Sequence, residues 1–207
     1  MNRNQLIKET YKVLKENNLN FVNLRNFDLI FSDTESDIDV LIDESDANKL
    51  NEVMKLFGYK KYIDKGIICL YNAKTHMHFI NQQLQVHFDI VTGLFYRSLD
   101  MGQYVPIDQQ LQKQILQNKI KVHKPWIYQP SPEDEIIHLC CHAIFDKKTV
   151  SERYCQRISV LFEICDKPLL SKGLSLCFFK FAPKAFELME KKSISNLYNN
   201  YIKFREY

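Results

Sequence analysis

Apolar residues recur at helical spacing in the first segment, where Ile7, Tyr11 and Leu14 form a stripe that ends in the turn Glu16-Asn17-Asn18-Leu19-Asn20. The period then shortens. Phe21 to Arg25 reads as a strand, residues 26–37 as a polar loop, and Ile38, Val40 and Ile42 as the buried side of a second strand. Asp37 and Asp39 therefore project together from the opposite face. After Ser45, which suits a helix cap, Ala47, Leu50, Val53, Met54 and Phe57 return to helical spacing until Gly58 stops the run. A β stretch comes next. Tyr59 to Ile63 and Ile67 to Tyr71, around the turn Asp64-Lys65-Gly66, predict one hairpin; His76 to Ile80 and Leu84 to Val91 predict a second.

Beyond Gly102 the pattern gives a short helix near Asp108 to Asn118 and a strand pair near Ile120 to His123 and Trp126 to Tyr128. Gln129-Pro130-Ser131-Pro132-Glu133-Asp134-Glu135 then opens a helix, with Ser131 as cap, Pro132 in the first helical position and three acids in the first turn. Ile136, Cys140, Ala143 and Ile144 make one stripe; Val150, Tyr154, Ile158, Leu161 and Cys165 make a second; Pro168 and Pro183 break the later helical segments. This order predicts an α+β fold. Its first part, residues 1–128, is a mixed, mostly antiparallel sheet with flanking helices. Residues 129–207 form a helical domain, with a cleft between the two.

The 207 residues accommodate one ample core or two modest domains, and no apolar run is long enough for a membrane span. The polar start Met1-Asn2-Arg3-Asn4-Gln5 enters a helix pattern directly, without the apolar core of a secretory signal, so a cytoplasmic location is expected. Six scattered cysteines lack a paired Cys-x-x-Cys spacing and read as reduced core residues. The net charge of +3 comes from interspersed groups rather than a basic stripe, so nucleic acid stays open as a partner but gains no support.

The run Asp37-Ile38-Asp39-Val40 carries the chemistry. Two carboxylates at i and i+2, with Asp89 of the alternating strand Val86-His87-Phe88-Asp89-Ile90-Val91, offer hard oxygens to divalent cations. Two such ions about 3.5–4 Å apart suit phosphoryl-type transfer. The ordinary alternative is an acidic strand entry beside a polar loop that also holds Asp33 and Glu35.

Asn23-Leu24-Arg25-Asn26, ten intervening residues, the Asp-x-Asp pair and then His87-Phe88-Asp89 resemble the nucleotidyltransferase superfamily typified by DNA polymerase beta and kanamycin nucleotidyltransferase. The pattern looks most like stand-alone bacterial nucleotidyltransferases of unassigned substrate. The resemblance implies two Mg2+ ions, with Mn2+ as an alternative, on Asp37, Asp39 and Asp89, which are also the catalytic residues. It implies an NTP co-substrate and an acceptor, expected to be a small molecule such as a sugar or polysaccharide precursor. The alternatives are a toxin-antitoxin-type or regulatory enzyme acting on tRNA or protein, and a degenerate nucleotide-binding domain. Arg25-Asn26 stands where the superfamily has a glycine turn, so Arg25 and Asn26, with Ser36, are assigned to the triphosphate.

His138 and His142 lie i, i+4 on the long helix. A zinc-protease reading lacks the glutamate, since Leu139 follows His138, and lacks a third ligand. Hydrogen bonding within the core and a place along the cleft are the remaining roles. Related small nucleotidyltransferases carry histidines and basic residues on this helix, which implies nucleotide contacts for His142 and Lys147, with Lys148 beside them. Arg153 and Arg157 read equally well as a solvated face.

Overall fold

A computed structural model describes residues 1–32, 37–63, 68–69, 76–97, 103–122 and 126–205. In chain order these form α1 (Arg3–Glu16), β1 (Phe21–Asn23), β2 (Ile38–Ile42), α2 (Ala47–Leu56), β3 (Lys60–Ile63), β4 (Ile68–Cys69), β5 (His76–Asn81), β6 (Val86–Val91), β7 (Phe95–Arg97), β8 (Gln103–Pro106) and α3 (Gln109–Gln117). Then come β9 (Ile120–Lys121), β10 (Tyr128–Gln129), α4 (Pro132–Cys141), a π-helical continuation over His142–Lys147, α5 (Glu152–Ile164), α6 (Lys167–Phe178), α7 (Ala182–Glu190) and α8 (Leu197–Lys203). The fold is α+β. No helix of the described residues is long and apolar enough to cross a membrane.

The main sheet runs β1-β2-β6-β5-β3, with β2 and β6 parallel and its other pairs antiparallel. Alternation divides its faces. Ile38, Val40 and Ile42 of β2 and Val86, Phe88 and Ile90 of β6 lie in one buried core with Leu6, Ile7, Tyr11 and Leu14 of α1 and Leu50, Val53 and Met54 of α2. The intervening residues of these strands face the other way, and there Leu41 joins a second core built around α4 to α8. That helical core also draws in Leu94, Tyr96, Leu111 and Ile115 from ahead of residue 129.

Helix α4 is the axis of this second core, because every residue from Glu133 to Cys141 is buried. Ser131 caps it by accepting from Asp134 N, and Pro132 occupies the first turn as expected. Its acids do more than face the helix dipole. Glu135 holds Arg157 in a two-pronged ion pair at 2.7 Å, and Asp134 accepts from Gln114 at 2.9 Å. Gly173 lets α6 approach, since a Cβ there would meet Ile137 Cδ1 at 2.2 Å.

Three local expectations change. Among the described residues β3 pairs with β5, and β4 pairs in parallel with β8, in place of the expected hairpin. The expected turn Asp64-Lys65-Gly66 lies outside the described residues. Ser45 is not the cap; Asp43 caps the 3-10 turn Glu44–Asp46 by accepting from Ser45 N, and α2 continues from that turn. The strand pair before α4 is shorter, β9 with β10.

Candidate active site

The acid-bearing strands meet at the centre of the sheet. In the parallel pairing of β2 with β6, Asp39 stands opposite Asp89, so the two carboxylates share the face turned toward the helical core. A cavity of about 220 Å³ opens there, lined by Arg25, Asp39 and Asp89 from the sheet side and by His138, His142, Asp146 and Lys147 from the helical side. Asp37 lies two residues before Asp39, at the entry to β2, with its side chain half exposed. Ser36 lies outside the described residues.

Arg25 is the hub. Its Nε and Nη2 donate to the two oxygens of Asp39 at 2.8 and 2.7 Å, the fork-on-carboxylate geometry that a guanidinium favours. Its Nη1 reaches His142 Nε2 at 2.6 Å and the Tyr154 hydroxyl at 3.0 Å. A guanidinium only donates, so His142 accepts at Nε2 and is neutral; its Nδ1 then donates to the Tyr154 hydroxyl at 2.9 Å. Burial pushes the His142 imidazole down to about 2, and the Arg25 charge adds to the effect. Burial likewise pushes His138 down to about 3. His138 Nδ1 lies 2.6 Å from the Tyr96 hydroxyl, while its buried Nε2 has no hydrogen-bond partner among the described residues.

The three acids sit in different fields. Burial raises the Asp39 carboxyl, and the Arg25 bonds oppose that rise. Burial also raises Asp89, but there the hydrogen bond from His76 and the neighbouring imidazoles outweigh it, and the carboxyl ends below its ordinary range. Asp37 Oδ1 lies 2.6 Å from His87 Nδ1.

Asn26 turns the chain between Arg25 and the following loop with φ of +55°. This is the left-handed region where glycine is at ease and asparagine is the next most tolerant residue. The Arg-Asn sequence thus keeps a glycine-like backbone turn beside the acids.

Arg25, Asp39, Asp89, His142 and Lys147 line one cavity, whereas Asn26 lines a neighbouring one. Arg157 leaves the solvated face for Glu135, while Arg153 is half exposed, 3.5 Å from Asp28. Sequence reasoning missed His76, His78, Tyr96, Asp146 and Tyr154. The alternation His76-Met77-His78-Phe79 was a usable signal, because it aligns both histidines on one face. Asp146 and Lys147 are placed by the π-helical stretch, whose wide turns are frequent at functional sites and leave no mark in periodicity.

A mixed sheet carrying paired acids, packed on a helical bundle, is the fold of a nucleotidyltransferase. The solution structure of the antibiotic-resistance factor ANT(2'')-Ia shares it with a TM-score of 0.52 at 10% identity, over 92% of this chain and 99% of that one. The profile of a family described as uncharacterised nucleotidyltransferases matches residues 34–167, more than half of the sequence. The chain belongs to that family and is a transferase that takes an NTP and an acceptor. No curated protein matches it.

Proposed function

We propose that the chain moves a nucleoside monophosphate from an NTP to a hydroxyl or phosphate of a small acceptor, with two Mg2+ ions on Asp37, Asp39 and Asp89 and Mn2+ as an alternative. The observation that carries this reading is the register of Asp39 against Asp89 at the floor of a cavity that also presents Arg25 and Lys147. The donor set fits the ions, since all three groups are carboxylates and hard oxygens suit Mg2+. Divalent ions bound there would neutralise charge on the triphosphate and acidify the attacking hydroxyl.

The protein's own groups supply the rest. Both oxygens of Asp39 are engaged by Arg25. Entry of an NTP therefore has Arg25 exchange this carboxylate for phosphate oxygens, which match its fork equally well. His142 and Tyr154 hold the guanidinium from behind during the exchange, through the hydrogen bonds to Nη1. Lys147 brings a second cation to the same cavity. Asp89 would take the proton of the acceptor hydroxyl as that oxygen bonds to the α-phosphorus and pyrophosphate leaves. A neighbouring cavity of about 670 Å³ shares the Tyr96 and Arg97 wall and is lined further by Ile107, Phe145, Leu176 and Tyr201, which gives a small acceptor room.

Magnesium-dependent release of pyrophosphate, measured across the four NTPs with candidate acceptors, tests this. Asp89→Asn is expected to lower the rate roughly a hundredfold or more, the scale of removing metal-assisted charge stabilisation. The Arg25 grip on Asp39 favours a second reading, nucleotide binding without turnover. NTP binding with no pyrophosphate release on any acceptor would select it.

A further inference from the structure

The face of the sheet beside the cavity carries a group of side chains that phosphoryl transfer on three carboxylates does not require. His76 and His78 project together from β5, and β5 pairs with β6 so that His78 stands opposite Asp89. His87 extends the row on β6. Three of the six histidines of the chain are thus gathered in one patch. The ring centroids of His76 and His78 are 4.3 Å apart, and those of His78 and His87 5.1 Å. His76 Nε2 contacts Asp89 Oδ1, His78 Nδ1 lies 4.0 Å from the same oxygen, and one donor atom from each of the three falls within 4.8 Å of the others.

We propose that His76, His78 and Asp89 form a site for a single first-row transition-metal dication such as Zn2+. Two imidazole nitrogens and one carboxylate oxygen are the donors that such ions prefer, whereas Mg2+ takes oxygen ligands and keeps its waters. The side chains are about one-fifth exposed, so an ion can enter while the sheet fixes the donors. Binding has the ion replace the hydrogen bond between His76 and Asp89, and frees His78 Nδ1 from its 3.0 Å contact with His87 Nε2. His87 is itself oriented by Asp37 at 2.6 Å, the carboxylate-to-histidine support typical of metal centres, which places it to add a further nitrogen. A row of imidazoles that only bridged the two acids by hydrogen bonds would explain the same contacts, and it predicts no ion selectivity. The site deepens the nucleotidyl-transfer reading because Asp89 belongs to both, but its donors stand without that reading.

Titration of the metal-free full chain with Co2+, followed by visible absorption and calorimetry, decides the matter. The inference predicts the ligand-field bands of nitrogen-ligated Co2+ at equimolar ratio, displaced by Zn2+ and not by a large excess of Mg2+. His78→Ala is expected to weaken Co2+ at least about tenfold. Circular dichroism checks that this variant folds, and His76→Gln offers a milder second test. Co2+ bound no more tightly than Mg2+ by the wild type, with no such bands, overturns the inference. Pyrophosphate release with Mg2+ alone alongside that result leaves nucleotidyl transfer standing, whereas tight Co2+ binding without turnover upholds the metal site and counts against transfer.

Discussion

Asp37, at the entry to β2, and Asp39, within it, sit two residues apart, yet they meet opposite conditions. The Asp39 side chain is 11% exposed and locked by a permanent cation through two bonds; that of Asp37 is 50% exposed and leans on a single imidazole. Strand alternation gives both the same direction, while depth along the strand differentiates them. Asp39 lies where β1, β2 and β6 meet the helical core, and its carboxylate serves structure before it serves chemistry. Asp37 lies at the rim, where a partner can be exchanged cheaply.

The largest effect expected from this contrast is on stability. Asp39→Ala strands Arg25 in a mostly buried site, and removal of one partner of such a pair costs about 3–5 kcal/mol. Asp37→Ala removes a rim contact and should cost no more than about 1 kcal/mol. Urea unfolding of the two variants measures the difference, and equal losses would erase the distinction between the two acids.

Acid sensitivity comes next. His138 and His142 stay neutral in the fold, with values near 3 and 2, whereas both charge near 6.5 in the unfolded chain. As pH falls below 6.5 the unfolded state binds protons that the folded state refuses, so stability falls with pH by up to about 1.4 kcal/mol per unit for each histidine. The window opens at 6.5, where the histidines of the unfolded chain begin to charge, and extends downward from there. Burial also holds His78 down, so replacing His142 with Gln should reduce the slope of stability against pH there without abolishing it. An unchanged slope would show that His142 is not held neutral by Arg25 and its buried surroundings.

The smallest effect concerns the turn that aims Arg25. Asn26→Gly suits the positive φ and should leave stability within about 0.5 kcal/mol, whereas Asn26→Val forces a branched side chain into that region at a cost of about 1–2 kcal/mol. Thermal unfolding separates them.

Much of this site was legible in the sequence because its strands alternate strictly. Ile38, Val40 and Ile42 placed the acids of β2, and Val86, Phe88 and Ile90 placed Asp89, without knowledge of which strands touch. Pairing is where local pattern ended. The side-by-side parallel arrangement of β2 and β6 depends on contacts across some fifty residues, and the pairing of β3 with β5 skips the intervening β4. The same limit hid His76 and His78, whose meaning arises only when β5 aligns them with Asp89. Tyr154 read as part of an apolar stripe, and nothing local announces that its hydroxyl reaches Arg25 on the other side of the cleft.

A crystal structure of the protein with Mg2+ and a non-hydrolysable NTP tests the central claim most directly. The account predicts cations on Asp39 and Asp89 with the Arg25 guanidinium turned from Asp39 onto the phosphates. A nucleotide bound elsewhere, with the two bonds from Arg25 to Asp39 intact, would contradict it.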